Sequence, residues 1–262
     1  MKKIAIIGCG VIGTAIAEFV HKELSYRGRI VGICDIDLEK AKALSKRLKP
    51  RPKIFTSIED LVQRADFIIE AASASISGVV AEKAVSFGKD VLIMSTGGLL
   101  DRAYLFERAR RRHCNIYIPS GAICGLDGLK SAGIGKIKKV SLTTRKPLQG
   151  LKGAPYLKKK GIDIDKIKKE MLIYSGDAKE AIRYFPQNIN VAATLSIFGI
   201  GPEHTKVSII TSPRYTRNIH EIEVEGEFGR LYTKTENLPS RENPKTSQLA
   251  VFSALATLKE AL

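Results

Sequence analysis

Gly8, Gly10 and Gly13 form a Gly-x-Gly-x-x-Gly turn directly behind the apolar run Ile-Ala-Ile-Ile at residues 4–7. A buried strand, a tight turn and a helix start, in that order, make a cradle for the pyrophosphate of a redox dinucleotide. Gly8 permits the sharp turn, Gly10 leaves room for phosphate against backbone, and Gly13 lets the helix pack closely on the strand. The loop residues Gly8, Gly10, Val11, Ile12 and Gly13 are therefore expected to hold the cofactor. The free N–H groups of the helix start would face its phosphates. A second apolar run ends at Asp35, about 22 residues beyond Gly13, where a carboxylate can accept hydrogen bonds from the adenosine ribose hydroxyls. The charge of Asp35 opposes a 2′-phosphate, and Ile36, Asp37 and Leu38 bring no arginine to attract one. NAD is expected over NADP, and the nearby Lys40 and Lys42 keep NADP open as a second cofactor.

The elements that must position these groups follow from periodicity. A helix is expected from about residue 10 to 24, with Ile12, Ala15, Ile16 and Phe19 as its buried stripe. Helical spacing at 37–48 places Leu38, Ala41, Leu44 and Leu48 on one side. Short strands are expected at 53–55, 66–71, 90–94 and 115–118, with helices at 77–87 and 101–112, and Ser57 starts another helix. This alternation specifies an α/β fold whose N-terminal part, residues 1–120, is a Rossmann-type doubly wound parallel sheet. The pattern then changes. Residues 136–145, 207–211 and 218–225 alternate polar and apolar, as in a mixed or antiparallel sheet with one wet face. A Lys- and Gly-rich loop is expected at 146–163 and a helix-like stretch at 189–197. The apolar-periodic segment 245–262 is expected to return to the first sheet, with Asn243 or a neighbour capping it. The resulting division is a dinucleotide-binding domain (1–120), an inserted α+β domain for catalysis and dimerisation (121–238) and a returning C-terminal segment (239–262).

Ligands of open parallel sheets lie beyond the C-terminal strand ends. That rule selects Ala71, Ala72 and Ser73 for close approach of the dinucleotide, then the segments 95–98 and 119–125. The same small residues would also suit plain close packing at a hinge.

The formal charge is +16 over 262 residues, with 44% hydrophobic content. The basic residues are dispersed, apart from clusters at 108–113 and 158–160, and neither cluster is interleaved with aromatic residues as a base-stacking surface would be. A solvated basic surface is expected rather than a nucleic-acid site. No apolar run reaches membrane-spanning length, and Met-Lys-Lys runs straight into the first strand. No membrane contact and no leader are expected. The four cysteines lack paired spacing, which suits a reduced, cytoplasmic setting. No HxxH, HExxH or cysteine pair is present, so no metal site is expected. Of the four histidines, His21 and His113 fall at helix surfaces, His204 in a loop and His220 on an alternating strand. From spacing alone His220 is as compatible with packing or surface as with chemistry.

Four segments add to this: Gly8-Cys-Gly-Val-Ile-Gly13, Pro119-Ser-Gly-Ala-Ile-Cys-Gly-Leu-Asp127, Phe185-Pro-Gln-Asn-Ile-Asn-Val-Ala-Ala193 and Asn218-Ile-His-Glu-Ile-Glu-Val-Glu-Gly226. Together they resemble the L-aspartate dehydrogenase family, and with the element order the resemblance spans nearly the whole chain. It implies that His220 is the active-site residue and that Ala122 and Asn190 contact NAD(P). It also implies a homodimer joined through second-domain sheets. The implied reaction is oxidation of L-aspartate to iminoaspartate, which yields oxaloacetate and ammonia or passes to a quinolinate-forming enzyme of NAD biosynthesis. Both substrate carboxylates would need cations or oriented donors, and Lys206, Arg214 and Arg217 are close in sequence to His220, although surface positions suit each equally. Dihydrodipicolinate reductase-like and homoserine dehydrogenase-like enzymes share the general plan. A nucleotide-sensing regulatory or nucleic-acid-binding protein is the alternative of another class, suggested by charge alone.

Overall fold

The computed structural model describes residues 1–185, 190–240 and 246–262. The chain divides into two compact units, Met1–Pro119 with Val251–Leu262, and Ser120–Ala250. The return to the first unit thus begins inside the last helix, not at residue 239. The expected cap at Asn243 lies outside the described residues.

The first unit contains β1 (Lys2–Ile7), α1 (Val11–Glu23), β2 (Gly28–Cys34), α2 (Leu38–Arg47), β3 (Lys53–Ile54), α3 (Ile58–Gln63), β4 (Phe67–Glu70), α4 (Ala74–Ser86), β5 (Asp90–Ile93), α5 (Tyr104–Arg111) and β6 (Ile116–Tyr117). Its six strands are parallel, in the order β3-β2-β1-β4-β5-β6. The winding direction reverses between β1 and β4, so a crevice opens beyond their C-terminal ends, beside Gly8 and Ala71. The central strands are buried on both faces, which is why 4–7 and 67–69 read as continuous apolar runs.

The stripe of α1 differs from expectation. Gly13, Ile16, Ala17 and Val20 are buried, whereas Ile12, Ala15 and Phe19 are half-buried. The helix turns its glycine to the sheet. A Cβ at Gly13 would stand 1.9 Å from the Gly8 carbonyl oxygen, so residues 13, 16, 17 and 20 become the contact face. Asp37 caps α2 by accepting from the Glu39 and Lys40 amides, and Ser57 caps α3 by accepting from Asp60 N–H.

The second unit comprises α6 (Leu126–Ala132), β7 (Ile137–Pro147), α7 (Leu148–Leu151), α8 (Pro155–Lys160), β8 (Met171–Asp177), α9 (Ala178–Tyr184), α10 (Asn190–Phe198), β9 (Thr205–Ser212), β10 (Asn218–Gly226), β11 (Gly229–Asn237) and the start of α11 (Gln248–Ala261). Its mixed sheet has the order β11-β10-β7-β9-β8, with β7 and β9 parallel and the other pairs antiparallel. Three features depart from the sequence reading. β7 extends two residues past 145. The stretch 146–163 holds two short helices rather than one loop. β8 and β11 were not anticipated, because β11 reads Gly-Arg-Leu-Tyr-Thr-Lys-Thr-Glu-Asn, with little apolar signal. One face of this sheet packs on Ile123, Leu129, Leu195 and Phe185.

The end of α11 belongs to the first unit. Ala254 and Leu258 join the cluster of Ile4, Ile6 and Val20, and Arg27 donates to the Lys259 carbonyl at 2.8 Å.

Candidate functional site

In the first unit a cleft of about 540 Å³ is lined by Gly8, Gly10, Asp35, Ile36, Lys40, Thr56, Ala71, Ala72, Ser73 and Ser75, among others. It sits at the reversal of strand order. Gly8 has φ +100° and faces Ala71 so closely that a Cβ would lie 2.5 Å from its carbonyl carbon. Gly10 is different: nothing lies within 4 Å of a Cβ built there. Open space at the first N–H groups of α1 is the room a pyrophosphate needs. Val11 and Ile12 do not line the cleft. Val11 begins α1, Ile12 packs on the core, and Gly13 lies behind the turn.

Asp35 is held in place. Its Oδ2 accepts from Cys9 N–H at 2.6 Å and its Oδ1 from Asp37 N–H at 2.8 Å. A carboxylate has about four acceptor positions, so capacity for ribose hydroxyls remains. Lys40 pairs with Asp37 at 3.4 Å and Lys42 with Glu39 at 2.8 Å. Cys9 and Cys34 are buried beside this turn, and burial together with Asp35 pushes the Cys9 thiol up to about 12.

Glu70 is a residue the sequence reading passed over. It is fully buried at the end of β4 and accepts from Ala72 N–H at 2.8 Å and Ser95 N–H at 3.0 Å. Burial raises its carboxyl, against the lowering effect of these amides. One side chain thus pins the two loops that follow β4 and β5. The only advance signal was a glutamate in an apolar strand. Glu70→Ala should leave the buried Ser95 amide unsatisfied, at about 1–3 kcal/mol, and release the less buried Ala72 amide to solvent. A lowered melting temperature and weaker NADH binding, read by fluorescence titration, are the expected results.

His21 and His113 of the first unit and His204 of the second prove exposed, while His220, on β10 of the second unit, is 4% exposed. The register explains this. On the covered face, Val140, Leu142, Thr144 and Lys146 alternate inward along β7, and Val224, Ile222 and His220 along β10. Deep rows are apolar and the last rows are polar. His220 pairs with Thr144 across the strands, and its Nδ1 lies 3.0 Å from Thr144 Oγ1. Burial first, then the charge of Lys146, lowers the imidazole to about 3. The ring is therefore neutral, and Nε2 is its second hydrogen-bonding atom.

Ala122 is tied to the same rows. Its carbonyl accepts from Thr235 Oγ1 and Asn237 Nδ2, both at 2.9 Å, and Thr235 pairs with His220 on the opposite side from Thr144. Asn190 opens α10 and is exposed. Residues 186–189 of the same motif lie outside the described residues. Lys206, Arg214 and Arg217 are exposed, so sequence proximity to His220 was a poor guide to cations. Lys146, in the segment expected to be a loop, is instead the last inward residue of β7 and is buried.

The basic clusters also changed character. Lys158, Lys159 and Lys160 end α8 rather than occupying a loop, and Lys159 and Lys160 lie over the rings of Tyr184 and Tyr156. Tyr184 comes from α9 and Tyr156 from the first turn of α8 itself, and the lysine ammonium groups lie over their faces.

Comparison with known proteins agrees with this arrangement. The family model described as "Aspartate dehydrogenase, C-terminal" matches residues 127–261, and "Homoserine dehydrogenase, NAD binding domain" matches residues 8–119. An L-aspartate dehydrogenase of Methanosarcina barkeri is 46% identical over 100% of this chain and 97% of its own length. One from Methanocella arvoryzae is 45% identical, over 99% and 97% respectively. The crystal structure of aspartate dehydrogenase from Thermotoga maritima has a TM-score of 0.72 at 27% identity, covering 100% of this chain and 97% of that one. A Rossmann-type first unit, an inserted mixed sheet with a buried histidine and full-length similarity of this degree make the chain a member of the L-aspartate dehydrogenase family.

Proposed function

We propose that this protein is an NAD-dependent dehydrogenase that oxidises L-aspartate to iminoaspartate. The full-length match to aspartate dehydrogenases carries the reading, and the buried His220–Thr144 pair is its chemical counterpart. The cofactor would be held by Gly8, Gly10, Asp35, Ala71, Ala72 and Ser73, where the cleft offers amide donors, a carboxylate and room for phosphate. Ala122 and Asn190 are the second-unit residues proposed to contact it. Bound NAD supplies the hydride acceptor, C4 of its nicotinamide.

The chain's own residues manage protons and orientation. The substrate nitrogen must be neutral before its lone pair can form the C=N bond as hydride leaves Cα. Thr144 holds the His220 ring through Nδ1, which leaves Nε2 as the atom proposed to meet the reacting amino acid. Burial and the Lys146 charge make the resting imidazole a weak base, so its proposed role as acceptor of a proton from the amine, or from the water that hydrolyses the imine, requires the negative charge of the bound substrate to raise it. The test is a substrate profile. Purified protein with NAD should form NADH on addition of L-aspartate, and should consume NADH with oxaloacetate plus ammonia. NADH formation from homoserine and none from aspartate would overturn the reading.

NAD preference over NADP rests on the Asp35 carboxylate, held at the cleft by two backbone amides. Asp35→Ser should weaken NAD use and improve the NADP:NAD ratio of kcat/KM by roughly tenfold or more, since one repelled charge is worth about 1.4 kcal/mol or above at short range. An unchanged ratio would remove Asp35 as the discriminator.

The assembly we propose is a homodimer joined through the second-unit sheet. Its face opposite the hydrophobic cluster carries Arg145 paired with Glu221 at 3.2 Å, and the exposed Tyr232 opposite Glu223. Light scattering should then give about twice 28.7 kDa. A cytoplasmic enzyme that acts on neither nucleic acid nor membrane, and hands iminoaspartate to a quinolinate-forming enzyme, completes the proposal. No helix among the described residues is long and apolar enough to cross a membrane.

A further inference from the structure

Asp35 suits a cofactor without a 2′-phosphate, yet the same cleft also carries a cation. Among the described residues that line it, Lys40 is the one positively charged side chain and Asp35 the one negatively charged. Both belong to the turn between β2 and α2. Asp35 follows β2, its Oδ1 accepts from Asp37 N–H at 2.8 Å, and Asp37 caps the helix that carries Lys40 in its first turn. The lysine thus stands on the turn of the ribose-binding carboxylate, whereas the open phosphate room lies at Gly10, on the turn between β1 and α1.

Lys40 has a partner there. Its Nζ lies 3.4 Å from Asp37 Oδ2, with the two side chains 58% and 45% exposed. Asp37 Oδ1 accepts from the Glu39 and Lys40 amides at 3.1 and 3.4 Å. These contacts, the Lys40 amide first, hold the Asp37 carboxyl below its ordinary value. Two amides of the α2 start are therefore already taken by a carboxylate, and the donor left for an arriving anion is the lysine ammonium. An ion pair this exposed is held weakly and exchanges readily. Lys42 pairs with Glu39 at 2.8 Å and does not line the cleft.

We infer that the Lys40 ammonium receives the 2′-phosphate of NADP, and that its ion pair with Asp37 holds this cation back, so that the pair sets how far the enzyme uses NADP beside NAD. The inference rests on the cleft being the cofactor site. A 2′-phosphate carries close to two negative charges at neutral pH, so it forms charge-assisted hydrogen bonds that compete with a solvated carboxylate for the lysine. That contact opposes the repulsion from Asp35. NAD brings a neutral hydroxyl to the same place and gains nothing from the lysine.

Fluorescence titration with NADPH and with NADH gives the test without turnover. Lys40→Met keeps the stem and removes the charge. Its Kd for NADPH should rise roughly tenfold, as for a charge-assisted contact partly screened by solvent, while its Kd for NADH stays within about twofold of the parent. Asp37→Ser keeps a capping hydroxyl and frees the lysine, and should tighten NADPH by roughly threefold or more with NADH unchanged. In the double variant this gain should vanish, because Asp37 acts through Lys40. Raising the salt concentration should weaken NADPH more than NADH in the parent, and this difference should shrink in Lys40→Met.

Equal losses of NADH and NADPH in Lys40→Met would place the lysine on the pyrophosphate and overturn the inference. A gain from Asp37→Ser that persists without Lys40 would make Asp37 a direct repeller and overturn it too. So would a parent that binds NADH but binds NADPH not at all, or with an affinity indifferent to Lys40→Met. A parent that binds neither nucleotide overturns the cofactor reading itself, and this inference with it.

Discussion

His220→Ala should lower kcat with aspartate by roughly 10²–10⁴-fold, the usual worth of a positioned acid–base group, while leaving NADH affinity unchanged. The imidazole is buried, held by Thr144 at 3.0 Å and kept neutral by burial and by the neighbouring Lys146 charge. Alanine deletes the group without touching the cofactor cleft, whose lining comes from the first unit. Stopped-flow measurement of NADH formation with saturating aspartate is the direct assay, and a variant with near-parent turnover would remove His220 from the chemistry. A second signature concerns pH. The folded imidazole titrates at about 3, below the ordinary value of 6.5. Between those values the unfolded chain binds the proton and the folded one does not, so stability falls as pH drops through that window. His220→Ala lacks this proton. Its stability should decline less steeply than the parent's between pH 6.5 and 3, by chemical denaturation at each pH.

Gly10→Asp should weaken cofactor binding sharply without harming the fold. Gly10 is the N-cap of α1, at φ −74° and ψ −165°, a conformation that aspartate adopts readily. Aspartate is among the preferred N-cap residues, and no atom lies within 4 Å of the added Cβ, so the melting temperature should hold or rise. The new carboxylate occupies the phosphate space and repels a pyrophosphate there. NADH affinity should fall by roughly 100-fold or more, equivalent to about 2.7 kcal/mol. Gly13→Ala makes the contrast. Its Cβ meets the Gly8 carbonyl oxygen at 1.9 Å, so the turn itself must move and stability should fall together with binding. Parent-like NADH affinity in Gly10→Asp would mean that the pyrophosphate does not pass over this turn.

Much of the first unit was legible from residue order. The glycine turn and Asp35 are local features, fixed by backbone conformation and by one strand–helix–strand unit, and short-range spacing encodes them. Apolar runs such as 67–69 announce a doubly buried strand without reference to anything distant. The resemblance in four short motifs then carried the family. The helix stripe was misread because periodicity gives the width of a buried face and not its phase. Contact between Gly13 and Gly8 sets that phase, and it exists only once strand and helix are packed.

The second unit depended far more on its tertiary pairing. β11 is polar enough to pass for a loop, and only its ladder with β10 makes it a strand. Lys146 stood in a Lys- and Gly-rich stretch that resembled solvent-exposed loop, although the alternation Val140, Leu142, Thr144 already pointed its side chain inward. The sequence by itself determined the nucleotide turn, the class of cofactor and the family, because these reside in neighbouring residues or in motifs that survive as strings. Tertiary structure decided which histidine and which lysine are buried together and that Glu70 pins two loops. Burial, desolvation and charge coupling arise only when residues far apart in the chain, such as 144, 146 and 220, are brought onto one face of a sheet.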